Sequence, residues 1–141
     1  THFGLILVYL GGSIGFNSWL IKGFMDTISP SLDEAAKVDG ATEYQIFSKI
    51  IAPLARPILV VIFVITFIGI YSDYILAAIF LKDKNLWTVA VGINTVFVDD
   101  FNADWGVIAA SSVIAATPIA VLFVFFQKQI TGGLTAGSVK G

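Results

Sequence analysis

Long apolar stretches alternate along the chain with short charged ones. Residues 3–21 (FGLILVYLGGSIGFNSWLI) and 105–127 (WGVIAASSVIAATPIAVLFVFFQ) contain no Asp, Glu, Lys or Arg, and residues 57–81 form a third apolar run interrupted only by Asp73. About 20 mostly apolar residues are enough for a helix to cross the hydrocarbon core of a bilayer. Buried helices of a soluble bundle show a polar face at a 3.6-residue period. These three runs are apolar all round, so the pattern predicts three membrane-spanning helices at about 3–21, 57–81 and 105–127. Gly11, Gly12 and Gly15, with Ser111, Ser112, Ala115 and Ala116, supply small faces suited to close helix packing. Pro118 is expected to kink the last span.

The polar connections differ from one another. The segment LWTVAVGINTVF, residues 86–97, shows no clean helical or strand period, and Trp87, Phe97 and Trp105 suit a membrane–water interface. Residues 33–57 (DEAAKVDGATEYQIFSKIIAPLARP) hold seven of the chain's eighteen formal charges. Two helix-start patterns precede or interrupt this segment. Ser31-Leu32-Asp33-Glu34 follows Pro30, and Thr42-Glu43-Tyr44-Gln45 comes later; both match the capping box. Gly40 stands between them, where a left-handed residue would end the first helix. Phe47, Ile50, Ile51 and Leu54 recur at helical spacing as one apolar stripe, and Pro53 and Pro57 are expected to bend or interrupt the chain as it enters the next span. The prediction is a short helix, a glycine turn and an amphipathic helix, able to lie on a membrane surface or to dock in a partner's groove. A DNA-reading helix-turn-helix would carry a basic recognition helix. Four acidic and three basic residues in 33–57 do not supply one. On the residues alone, a solvated surface hairpin stays open.

Composition sharpens this picture. Apolar residues make up 57% of the chain and charged residues 13%, against roughly 45–50% and about 25% in average proteins. The mean hydropathy is +0.89. A net charge of −2 gives no sign of nucleic-acid binding. The absence of Cys excludes a disulfide framework and Cys-ligated zinc or iron–sulfur clusters. His2, the one His, leaves little scope for metal chemistry, and no cofactor is expected. No GxxxxGK[ST] phosphate loop occurs, so ATP hydrolysis is not expected of this chain.

Orientation follows from Lys and Arg in the connections. Lys22, Lys37, Lys49 and Arg56 lie in 22–56, and Lys128 and Lys140 lie after the third run; only Lys82 and Lys84 lie in 82–104. Six against two places 22–56 and the C-terminus in the cytoplasm, with 82–104 outside. Thr1 would then emerge outside, without an initiating Met and without the basic n-region of a signal peptide. The simplest expectation is the C-terminal part of a longer protein with an odd number of spans upstream.

Glu34-Ala35-Ala36, Gly40, Ile50 and Pro53 stand at the spacing of the cytoplasmic signature loop of ABC-importer permease subunits, which the segment resembles. The family's Leu before the final Pro is Ala52 here, a mild departure. Residues 133–141 (GLTAGSVKG) are similar to the C-terminal tail of the carbohydrate-importer branch, of maltose/maltodextrin type. The resemblance covers all 141 residues, as the last three spans of a six-span subunit. It implies an all-α membrane protein of the cell (inner or plasma) membrane: one permease domain over 1–141, with a coupling loop at 31–56 and a cytoplasmic tail at 128–141. The implied function is carbohydrate import driven by separate cytoplasmic ATPase subunits. A second permease subunit and an extracellular sugar-binding protein complete the implied assembly.

Under that resemblance the loop docks in a cleft of the ATPase, where Ala35 and Ala36 permit close approach and Gly40 gives the turn. Glu34 has two open roles, pairing with a basic residue of the ATPase or completing the Ser31 capping box. Gly133, Thr135, Gly137 and Lys140 are implied tail contacts, the alternative being a free end. Asp73, with Tyr71 and Tyr74 beside it, either lines a sugar path or pairs with a neighbouring helix. A permease for a non-sugar cargo and a membrane interaction protein without a transport role are the other readings.

Overall fold

A computed structural model describes residues 1–98 and 105–136. Among them the chain forms helices and turns, with no strand. Helix α1 is His2–Met25, α2 Pro30–Val38, α3 Glu43–Ile46, α4 Ala52–Tyr71, α5 Ile75–Phe80, α6 Val89–Val98 and α7 Trp105–Ala136; a π-helical turn, Phe47–Ile51, joins α3 to α4, and a 3₁₀ turn covers Lys84–Leu86. Three helices are long and apolar enough to span a membrane: His2–Met25, Glu43–Tyr71 and Trp105–Gln129. At 24 residues α1 reaches about 36 Å, more than the roughly 30 Å of a hydrocarbon core. Their large side chains are mostly exposed, including Phe3, Ile14, Phe63, Ile65, Ile114 and Phe125. In a bilayer such faces meet lipid or other helices.

One expectation about these helices is corrected. The run 57–81 is not one helix: α4 ends at Tyr71, the chain breaks at Ser72–Tyr74, and α5 restarts for six residues. The third run agrees closely with the apolar span Trp105–Gln129, and its helix continues beyond that span to Ala136. Pro57 and Pro118 both lie inside continuous helices.

The chain divides into two compact units, residues 1–13 with 64–126, and residues 14–63 with those from 127 onward. In the first, Leu5, Ala77, Leu81 and Val91 form a buried cluster, ringed by Tyr9, Leu76, Phe80, Leu86 and Trp87. The connection after α5 is tied down by polar bonds. Trp87 donates its indole N–H to the Leu81 carbonyl at 3.1 Å, Asp83 accepts from the Asn85 amide at 2.9 Å, and a His2 ring nitrogen lies 2.8 Å from the Leu86 carbonyl. The stretch that shows no period in sequence holds all of α6 but its last residue. With only Asn94 and Thr95 polar among its ten residues, the helix has too narrow a polar face to reveal a period, although Val91 is one of its buried anchors.

The second unit contains the α2–α3 hairpin and the start of α4. Among the described residues, its hairpin buries Ala36 and Ile46.

Candidate functional site

The hairpin is built by three local devices. Pro30 occupies the first helical position of α2, where its fixed φ and missing N–H cost nothing. That choice makes Ser29 the N-cap and corrects the Ser31 capping box. Ser31 falls inside the first turn, its hydroxyl 2.8 Å from that of Ser29, and the N-cap makes no side-chain cap bond. Glu34 is therefore not a capping partner of Ser31, and it is exposed.

The second device ends α2. Gly40 has φ +79°, the left-handed conformation that favours glycine. The Gly40 amide donates to the Lys37 carbonyl and the Ala41 amide to the Ala36 carbonyl, each at 3.0 Å, which is the Schellman pattern. The third device starts α3. The Gln45 amide donates to Thr42 Oγ1 at 3.3 Å while the Thr42 amide donates to Gln45 Oε1 at 2.9 Å, a complete capping box as the sequence predicts.

Lys37 joins the two arms. Its ammonium is 2.9 Å from Asp33 Oδ2 one turn back on α2 and 3.1 Å from Glu43 Oε1 on α3. The hydrogen bonds to Asp33 and Glu43 raise its pKa above the ordinary lysine value. All three groups are substantially exposed, so the pairs guide the hairpin's geometry more than they hold it together.

The two alanines of the signature point different ways. Ala36 is only 7% exposed, whereas Ala35 and Glu34 are on the surface. The structure therefore separates the predicted contact residues: Glu34 and Ala35 are accessible, and Ala36 is part of the hairpin's own packing. The predicted apolar stripe also splits. Ile50 and Ile51 line a cleft of about 360 Å³ with Met25, Ile28, Leu32 and Ile46, while Phe47 and Leu54 remain exposed. Val38 and Tyr44 are 87% and 78% exposed. Together with Phe47 they are exposed apolar side chains on a charged hairpin; the spacing argument singled out Phe47 but not Val38 or Tyr44. Val38 directly precedes the Gly40 turn and Tyr44 lies in the first turn of α3, a signal visible only once both helix ends are known.

Ile50 and Pro53 belong to the passage into the membrane. The Ala52 amide bonds to the Phe47 carbonyl five residues back. Proline has no N–H, and its ring crowds the carbonyl four residues earlier; at Pro53 that carbonyl is Lys49's. A widened turn just before Pro53 accommodates the crowding. Ser48 adds a hydroxyl bond to the Tyr44 carbonyl at 2.7 Å. One continuous helical path then runs from Glu43 to Tyr71.

In the other unit a second cleft, of about 200 Å³, is lined by Tyr71, Ser72, Val89, Ala90, Ile93, Ala115, Ala116 and Ile119. Tyr71 stacks on Phe67 at 5.6 Å and 15°. Of the three predicted pathway residues, Tyr71 is in this wall and Asp73 and Tyr74 are not. Asp73 Oδ2 accepts from Tyr9 Oη at 2.6 Å and from the Ala77 amide at 3.2 Å. Tyr9, 64 residues away in sequence, was not legible as its partner. Gly133 and Thr135 fall in the last turns of α7; Gly137 and Lys140 lie outside the described residues.

The sequence that folds this way has relatives among known proteins. Residues 1–135 match the family described as binding-protein-dependent transport system inner membrane component. The chain belongs to that family. It is similar over all 141 residues to the maltose/maltodextrin transport system permease protein MalG of Vibrio vulnificus strain YJ016 (46% identity), of Photorhabdus laumondii (45%) and of Escherichia coli K12 (44%). It covers 47% of the length of each, so it spans about half of these relatives. Family membership and three apolar helices make it a multi-pass membrane protein and a transport component.

Proposed function

We propose that the chain is the C-terminal half of a permease subunit of an ATP-driven carbohydrate importer, with a maltose- or maltodextrin-like cargo. The observation that carries this reading is the hairpin of residues 30–56. It combines family spacing, a left-handed glycine turn and surface-exposed Glu34, Ala35, Val38 and Tyr44, on a helix continuous with a membrane span. Exposed apolar side chains on an otherwise charged element mark an interaction surface. The partner is a cytoplasmic ATPase subunit, which hydrolyses the ATP that this chain has no phosphate loop to bind. The hairpin and the C-terminus face the cytoplasm, and residues 82–104 face the side from which a sugar-binding protein delivers cargo. A second permease subunit completes the pathway.

In the mechanism, closure of the ATPase pair pushes on the α2 end of the hairpin. Gly40, Ala36 and Ile46 make the hairpin stiff, and the helix through Ile50 and Pro53 carries the displacement into α4. The permease pair then rocks between outward- and inward-facing states. Tyr71 lines the cleft in the span, and Gly133, Thr135, Gly137 and Lys140 extend the cytoplasmic contact.

The test uses the full-length subunit, with any upstream Cys replaced, assembled with its companion subunits. Ala35→Cys is expected to give a permease–ATPase adduct with short cross-linkers, in a yield that changes with ATP. Ala36→Cys, being buried, is expected to react more slowly. If Ala35→Cys forms no adduct in either state of an intact complex, the coupling role is lost.

A further inference from the structure

Asp73 stands where a helix has just ended inside an apolar run. By length, Tyr9 is about 10 Å along α1 from its start at His2, within the membrane-spanning part of that helix. A carboxylate at such a position is costly and is retained where it has partners and a task. Its partners here are both internal. Asp73 Oδ2 accepts from Tyr9 Oη on α1 and from the Ala77 amide in the first turn of α5. One oxygen therefore fixes two elements at once. Below it, Leu5 and Ala77 meet in the buried cluster against which Tyr9 packs, so the polar bond and the apolar contact hold the same pair of helix faces. Immediately before Asp73 come Tyr71 and Ser72, both in the wall of the apolar cleft beside α6 and α7.

We propose that Asp73, held by Tyr9, is a positioning residue for this cleft: the pair sets the α4–α5 break and thereby where Tyr71 and Ser72 stand in the wall of an aqueous transport path. The proposal rests on the reading of the chain as part of a permease. Asp73 touches no cargo in this scheme; it acts through the two residues before it. A carboxylate merely satisfied by its neighbours would affect how much protein folds, but not the exposure of Ser72 in the molecules that do fold.

The experiment uses the full-length subunit in its assembled complex, with upstream Cys removed and Ser72→Cys introduced. The probe is a trimethylammonium methanethiosulfonate, which reaches thiols only through water. Labelling is measured per folded complex, alone and with Tyr9→Phe, Asp73→Asn or both. With Tyr9→Phe the break loosens, and the labelling rate is expected to rise by about threefold or more, the factor matching an average interhelical hydrogen bond in a membrane protein. Because both substitutions act on one bond, the double variant should go no further than the larger single effect. An unchanged rate in Tyr9→Phe overturns the proposal, even if the amount of complex falls. No labelling of Ser72→Cys in any background also overturns it, since the cleft is then not aqueous. Uptake of radiolabelled maltose by the same preparations reports separately on cargo: its failure in the otherwise unsubstituted complex sinks the maltose reading, while the labelling comparison still decides the positioning role.

Discussion

Gly40 and Lys37 show how single residues set the hairpin. A Cβ added at Gly40 meets nothing within 4 Å, so substitution there is a backbone question alone. At φ +79° a β-branched residue costs about 1–2 kcal/mol, and Asn less because it tolerates the left-handed region. Gly40→Val is expected to speed hydrogen exchange of the Ala41 amide by about 5- to 30-fold, with Gly40→Asn in between; equal exchange in all three proteins would refute the account. Lys37 carries the pH argument. Its pKa is raised in the folded chain by Asp33 and Glu43, so the favourable linkage is fully present below the ordinary lysine value of about 10.4 and is lost as pH climbs through the raised one. Exchange rates in the hairpin should respond to this lysine only at strongly alkaline pH, and Lys37→Met should remove that response. At this scale Gly40 and the Thr42 box were legible, because each depends on neighbours a few residues away. The Ser31 box was not: Pro30 takes the first helical position and moves the cap to Ser29.

Between elements, the π turn and the α4–α5 break matter most. Because the widened turn accommodates Pro53, Pro53→Ala is expected to let Phe47–Ile51 relax toward α geometry. That removes one residue's worth of phase and rotates Tyr44 and Phe47 by about 100° relative to α4. The complex is expected to assemble, but cargo imported per ATP hydrolysed should fall severalfold. An unchanged ratio would mean that the turn is not needed for coupling. Thr42→Ala is expected to cost about 1 kcal/mol and Thr42→Ser far less, measured as the loss of exchange protection at the Gln45 amide. The break itself could not be read from residues 57–81, because the run stays apolar on both sides of Asp73. What ends α4 there and restarts α5 involves a hydroxyl from Tyr9, 64 positions earlier.

For the whole molecule the argument is about sides of a membrane. In the proposed topology, drawn from the positive residues, 82–104 lies outside and the hairpin inside. In intact cells, Lys84→Cys in the full-length subunit is expected to react with an impermeant thiol reagent, and Val38→Cys only after lysis. The reverse pattern would invert the proposed topology. Both sites sit on exposed residues, so neither result depends on unfolding.

Sequence by itself determined the class of the protein, its three apolar segments and the two-helix hairpin with its glycine turn. Each of these is written in short-range information: run length, composition, and the spacing of Gly40, Thr42 and Gln45. Tertiary structure decided which alanine of the signature faces inward, that residues 86–97 contain a helix, and that Asp73 is held by Tyr9 at a helix break. Those outcomes depend on which side chains meet across distant parts of the chain, and in a chain apolar on nearly every face no local periodicity records that choice.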